Sequence, residues 1–248
     1  MPTNEAVTQD AALLATDAAA KRRFVRGMFS AIAPRYDLLN HLLSFNVDRR
    51  WRRRAIGALN WEHAPEATYL DLCAGTLDVS AALAREKGFR GRVVGADFAE
   101  PMLREGARKS TTSISPVVAD ALELPLASGS TAGAIVAFGV RNVSDLDAAL
   151  REVHRVLAPS AHFVILEFTT PRRAVVRSFY HFYFHRVLPL IGGIVSGHRT
   201  AYRYLPASVA HFPPEEQLAA RMRAAGFAKV RWESLSFGIA AIHVGAKV

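Results

Sequence analysis

Four aspartates are the residues of this chain whose types and spacing point most directly to chemistry. Asp71 and Asp78 bracket the segment Asp71-Leu72-Cys73-Ala74-Gly75-Thr76-Leu77-Asp78. Asp97 stands about 20 residues beyond its glycine, the distance at which a strand-end carboxylate can accept hydrogen bonds from the hydroxyls of a ribose. Asp120, followed by Ala121, closes a third apolar run. Gly75 lets the backbone turn sharply and pass close to a ligand. The helix expected after it offers free N–H groups. The segment lacks the three glycines that bring amides against a pyrophosphate. One glycine among carboxylates suits a nucleoside ligand that carries positive charge and no phosphate.

S-adenosylmethionine has that chemistry: a cationic sulfur and an ammonium group, for which Asp71 and Asp78 are candidate partners. Asp120 and Ala121 would stand near the adenine edge, and Phe98 beside Asp97 completes the candidate cofactor site.

Such carboxylates need strands to carry them. Apolar runs at 68–73, 92–97, 116–120, 134–138 and 162–168 read as strands, and amphipathic stretches at 78–87, 100–109 and 145–157 as helices between them. Pro101 suits a first helical turn and Asp145 a helix cap. This alternation predicts a doubly wound, mostly parallel α/β sheet. It stops after Phe168 and resumes with a helix at 215–225 and strands near 229–235 and 237–246, close enough to pair antiparallel. That makes seven strands, with an antiparallel last one. Residues 24–60 read as a helical appendage broken at Pro34. The expected organisation is a tail over 1–23 and one domain over 24–248, with 171–212 as a lid or insertion.

Composition bounds the remainder. The 248 residues are 50% hydrophobic and 21% charged, with a net charge of +9, which favours anionic partners without naming one. The run from Asp48 to Arg54 is either a solvated helix face or a binding surface. Cys73 is the sole cysteine, so no intrachain disulfide forms, and it reads as a buried thiol rather than a nucleophile. Residues 1–20 contain no Lys or Arg and do not read as a secretory signal. No uncharged apolar stretch reaches the roughly 18 residues of a spanning helix.

Three further segments carry a resemblance. Phe29–Asn40 with Asp48–Arg52 after it, Phe138–Asp145, and Tyr202–Ser208 followed by Phe212-Pro213 resemble segments of the ubiquinone/menaquinone biosynthesis C-methyltransferases, within the class I S-adenosylmethionine-dependent methyltransferases. The resemblance spans roughly residues 24–246 and implies methyl transfer to a ring carbon of a prenylated quinol, either a naphthoquinol or a methoxy-polyprenyl benzoquinol. By position, Thr76, Asp97, Asp120 and Ala121 would contact the cofactor, and Arg141 and Asn142 would face the acceptor. Tyr36, Asp37, Asn40, Tyr202 and Arg203 are the next candidates for lining the acceptor site. The family usually carries Gly at Leu77 and often a small hydroxyl residue at Ala137. The Leu77 side chain would either crowd the cofactor or point into helix packing.

The chemistry so implied asks for positioning and exclusion of water around a reactive methyl sulfonium. Arg141 could stabilise an ionised quinol oxygen, while His and Tyr candidates leave the base unassigned. The aromatic stretch 179–195 reads either as a lid that takes the prenyl tail and touches the bilayer or as a core helix. His181 and His185 lack a carboxylate companion, so no metal is expected. The expected setting is cytoplasmic, at the inner membrane face, with a homodimer left open and no nucleic-acid partner. Other readings are a methyltransferase for another small molecule or for nucleic acid, a non-catalytic nucleotide-binding homologue, and a nicotinamide oxidoreductase, which the missing glycines disfavour.

Overall fold

The computed structural model describes residues 17–37, 44, 46–183, 186 and 199–248, with backbone alone at 199–203. Apolar runs that alternate with helices give strands β1 (Thr68–Leu72), β2 (Arg92–Asp97), β3 (Ile114–Val118), β4 (Thr131–Ala137), β5 (Leu157–Phe168), β6 (Ala228–Leu235) and β7 (Ala240–Ala246). They form one sheet in the order β3-β2-β1-β4-β5-β7-β6. The pairs from β3 to β5 are parallel, and β7 runs antiparallel to both β5 and β6. Strand order reverses between β1 and β4, where open sheets of this kind leave a crevice for ligands.

The helices are α1 (Ala18–Ile32), α2 (Val47–Ala58), α3 (Asp78–Ala84), α4 (Glu100–Gly106), α5 (Leu146–Val156), α6 (Ala174–Phe182), α7 (Arg199–His211) and α8 (Glu215–Ala224). Two cores flank the sheet. One packs Ala55 and Ile56 of α2, Leu59 just after it, and Val79 and Leu83 of α3 on the strands. The other packs Leu150 and Val153 of α5 and Leu218 and Met222 of α8 on the opposite face. Each fully buried Val, Leu, Ile or Met side chain among them contributes about 1.5–3 kcal/mol. Asp145 caps α5, its Oδ1 accepting from the Ala148 amide at 2.9 Å. At the other end Lys247 Nζ donates to the carbonyl oxygens of His154 at 2.8 Å and Leu157 at 2.7 Å, which satisfies groups the helix leaves open.

Several boundaries differ from the sequence reading. Helix α1 starts at Ala18 because Asp17 accepts from the amides of Ala19 and Ala20, so residues 18–23 belong to a helix rather than to a tail. Pro34 lies in a short 3-10 turn, Ala33–Arg35, and α2 begins at Val47. Strand β3 ends at Val118, so Asp120 stands in the turn after it, bridged to Glu123. Strand β5 begins at Leu157, five residues early, because its exposed Pro159 and Ser160 interrupt the apolar pattern without ending the strand.

Candidate active site

Outside the carboxyl ends of β1, β2 and β4 lies an open cavity whose empty space, its mouth to solvent included, is about 690 Å³. Gly75, Asp97, Phe98, Asp120 and Ala121 line it, as do Tyr36 and Asn142. Its floor is the loop after β1, where Gly75 holds a φ of +54° that a glycine adopts without strain. Asp97 is buried at 8% exposure. Its Oδ2 accepts from the Gly75 amide at 2.9 Å and its Oδ1 from the Ala99 amide at 2.8 Å. A carboxylate has about four lone-pair positions, so acceptor capacity remains for a ligand hydroxyl. Burial raises the Asp97 pKa, against the pull of the Ala99, Gly75 and Phe98 amides.

Asp71 and Thr76 lie off the cavity. Asp71 Oδ2 accepts from the amide of Ser80 at 2.9 Å and from its hydroxyl at 2.6 Å. Strand alternation turns this side chain towards α3, and burial pushes its carboxyl up to about 7. Asp78 is taken by Lys109 Nζ at 2.5 Å and by Arg52 at 3.5 Å. Neither aspartate is therefore placed to hold a ligand ammonium, contrary to the sequence expectation. Thr76 donates its hydroxyl to Asp37, whose second oxygen takes Lys109 Nζ at 2.5 Å. Asp37 thus ties the segment after α1 to the nucleotide loop, and it is not among the residues that line this cavity. Tyr36 does reach the cavity and packs edge-on against Phe29, ring centroids 5.8 Å apart. Asn40 lies outside the described residues, and Tyr202 and Arg203 are placed on α7 by backbone alone.

Leu77 resolves the alternative raised by the missing glycine. It is fully buried in a cluster with Ala81, Leu103 and Ile114 and does not line the cavity. Its φ of +62° is left-handed, a conformation that costs a non-glycine residue roughly 1–2 kcal/mol. Cys73, half-buried, lines the cavity. Burial, then the carboxylates of Asp97 and Asp71, hold its thiol well above the ordinary pKa, in its unreactive protonated form.

The loop after β4 carries the second half of the site. Arg141 and Asn142 fall in a 3-10 turn, Val140–Asn142. Arg141 Nη1 donates to Glu167 Oε1 at 2.8 Å and to the Phe138 carbonyl. Its Nε donates to Ser208 Oγ at 3.3 Å, and the guanidinium lies 5.7 Å from the centre of the Phe168 ring. The Asn142 Oδ1 is buried without a hydrogen-bond partner, on a residue that lines the cavity. An orphaned buried acceptor is costly unless a ligand satisfies it. Buried Tyr180 and Tyr204 complete the surroundings. Burial raises both phenol pKa values, Arg141 lowers them, and Glu167 raises them further.

The sequence reading missed Glu167, Lys21 and Arg22. Glu167 is the one acid inside an otherwise apolar strand run, which was the available signal. Lys21 Nζ donates to the carbonyls of Val143 at 2.7 Å and Arg141 at 3.3 Å. Arg22 pairs with Asp120, and both line the cavity, so α1 roofs it. Among the described residues no helix is long and apolar enough to cross a membrane, and no group of three metal-ligating side chains occurs.

This donor set fits a nucleoside: a buried carboxylate, Asp97, at the end of β2 and an unpartnered amide oxygen, Asn142 Oδ1, across the cavity. The chain matches the ubiE/COQ5 methyltransferase family over residues 16–247. It is 52% identical over 221 residues to the demethylmenaquinone methyltransferase of Thermus thermophilus, covering 88% of this chain and 99% of that protein. It is 42% identical over 228 residues to the ubiquinone/menaquinone biosynthesis C-methyltransferase UbiE of Geotalea uraniireducens, covering 90% and 96%. Among solved structures, it is similar in fold to an S-adenosylmethionine-dependent methyltransferase of Thermotoga maritima. That match has a TM-score of 0.62 and 18% identity, covering 90% and 99% of the two chains.

Proposed function

The chain belongs to the ubiE/COQ5 methyltransferase family, and from that premise we propose that it methylates a ring carbon of demethylmenaquinol. It is an S-adenosylmethionine-dependent methyltransferase of quinone biosynthesis. The naphthoquinol branch is favoured by the 52% identity to a relative named for that substrate. The structural observation that carries the reading is the cavity itself, which runs from Asp97 to Asn142, next to Arg141 in the turn after β4.

The co-substrate supplies a methyl group on a sulfonium. In this reading the remaining acceptor capacity of Asp97 binds its ribose hydroxyls. Asp120 and Ala121 border the adenine edge, with Phe98 beside them. Asn142 Oδ1 accepts from a ligand N–H or O–H. Arg141 stabilises the acceptor's ionised ring oxygen, which makes the adjacent ring carbon nucleophilic. Tyr36 closes the cavity against water, and Tyr202, Arg203 and Asn40 are proposed for the acceptor side.

We also place the acceptor's source at a membrane surface. Val175, Phe179 and Phe182 recur at helical spacing on α6, with exposures of 70%, 72% and 62%, and Arg172, Arg173 and Arg177 are exposed around them. An apolar helix face flanked by arginines suits an anionic bilayer. A nucleic-acid acceptor is less well supported. Within the basic run of α2, Arg52 is paired with Asp48 and Asp78, and Arg54 with Glu233 through two bonds of 2.6 Å.

Transfer from labelled S-adenosylmethionine to reduced demethylmenaquinone and to the methoxy-polyprenyl benzoquinol, side by side, tests the acceptor. Label in the naphthoquinol supports the proposal. Label in the benzoquinol alone moves the chain to the other branch, and label in neither defeats the quinol reading.

A further inference from the structure

Glu167 is a carboxylate with nothing to do in an apolar strand unless it serves a neighbour. It is 1% exposed, near the carboxyl end of β5. Its Oε1 accepts from Arg141 Nη1 at 2.8 Å and from the Phe168 amide at 2.9 Å. Its Oε2 accepts from the Arg141 amide at 3.4 Å. One side chain thus holds both the backbone and the guanidinium of the same arginine. Ser208 of α7 and the Phe138 carbonyl hold two further edges of the guanidinium. Arg141 Nη2 makes no hydrogen bond among the described residues and is not among the buried side-chain atoms that lack one. A planar guanidinium fastened at Nε and Nη1 can only aim Nη2 in one direction.

We propose that Glu167 is a positioning residue for the transfer: it fixes Arg141 so that Nη2 is presented to the ring oxygen of the acceptor. The inference rests on the role given to Arg141 under the proposed function. Glu167 also neutralises a charge that is 93% removed from solvent, so the arginine can stay in place before the acceptor arrives. Burial raises the Glu167 pKa against the pull of Arg141, so protonation of Glu167 releases the guanidinium on the acidic side of the pH profile.

The test is steady-state transfer with Glu167→Gln, Glu167→Asp, Arg141→Gln and the Glu167→Gln/Arg141→Gln double variant, with calorimetric binding of S-adenosylhomocysteine and thermal unfolding alongside. Glu167→Gln is expected to lower kcat roughly 10- to 100-fold with nucleoside binding unchanged. The double variant is expected to be no slower than Arg141→Gln. The acidic limb of the wild-type kcat profile should vanish in Glu167→Gln and persist, at lower kcat, in Glu167→Asp. If Glu167→Gln does not fold, the Asp variant and its retained limb carry the test. Normal kcat in Glu167→Gln beside a slow Arg141→Gln overturns this inference and leaves the acceptor reading intact. Multiplying losses in the double variant overturn it too, and full activity in both single variants defeats both.

Discussion

Leu77 occupies the space that Gly106 leaves by having no side chain: a Cβ at Gly106 would stand 2.8 Å from Leu77 Cγ. Gly95 on β2 makes the same allowance, since a Cβ there would meet Leu77 Cδ2 at 2.5 Å. The leucine is thus accommodated by two glycines on neighbouring elements.

This relationship sets two opposed terms at one position. Leu77→Ala loses about 2–5 kcal/mol of packing and keeps the left-handed strain. Leu77→Gly loses that packing but removes a strain of roughly 1–2 kcal/mol. Urea unfolding should therefore find the Gly variant more stable than the Ala variant by about 1 kcal/mol. Binding of S-adenosylmethionine should change little in either. A Gly variant less stable than the Ala variant would contradict the left-handed strain at this position.

Asp71 predicts a pH dependence of stability. Its carboxyl is raised to about 7, so the folded chain binds a proton that the unfolded chain releases near the ordinary carboxylate value. Stability from this group is full below about pH 4 and falls as pH rises to about 7, by roughly 2–4 kcal/mol. Asp71→Asn keeps an acceptor for Ser80 and should flatten that part of the curve. Denaturation midpoints measured from pH 4 to pH 8 decide it, and an unchanged slope in the variant would remove Asp71 as the cause.

The two halves of the cavity should separate in function. Asp97→Ala removes two charge-assisted acceptors and should weaken S-adenosylmethionine binding about 10- to 100-fold. Arg141→Ala should bind the nucleoside normally and transfer slowly. Equal loss of binding in both, measured by calorimetry, would refute this division.

The exposed face of α6 gives a prediction on location. Phe179→Ser with Phe182→Ser should abolish co-sedimentation with anionic phospholipid vesicles and leave transfer to a short-tailed, water-soluble quinol unchanged. Wild-type protein that stays in the supernatant with anionic vesicles would count against the surface assignment.

The sheet was legible in the sequence because parallel strands buried on both faces read as continuous apolar runs; β1 and β2 show this directly. The start of α1 was not, because Asp17 is an ordinary aspartate until the amides of Ala19 and Ala20 meet it. Within the site, residue types were readable and partners were not. Asp71 was noticed as an acid beside a glycine loop, but its engagement by Ser80 depends on how α3 lands on β1. Arg141 was assigned by resemblance, whereas Glu167, 26 positions later, becomes its partner only because β4 and β5 are neighbours in the sheet.

The contacts that seat α1 also constrain the order in which the molecule is assembled. Lys21 reaches the Val143 carbonyl across a separation of 122 residues, and that carbonyl exists in its place only once β4 is paired. Closing so long a loop costs entropy that local contacts do not repay. The Lys21 contact that seats this part of the cavity roof therefore depends on a sheet already paired.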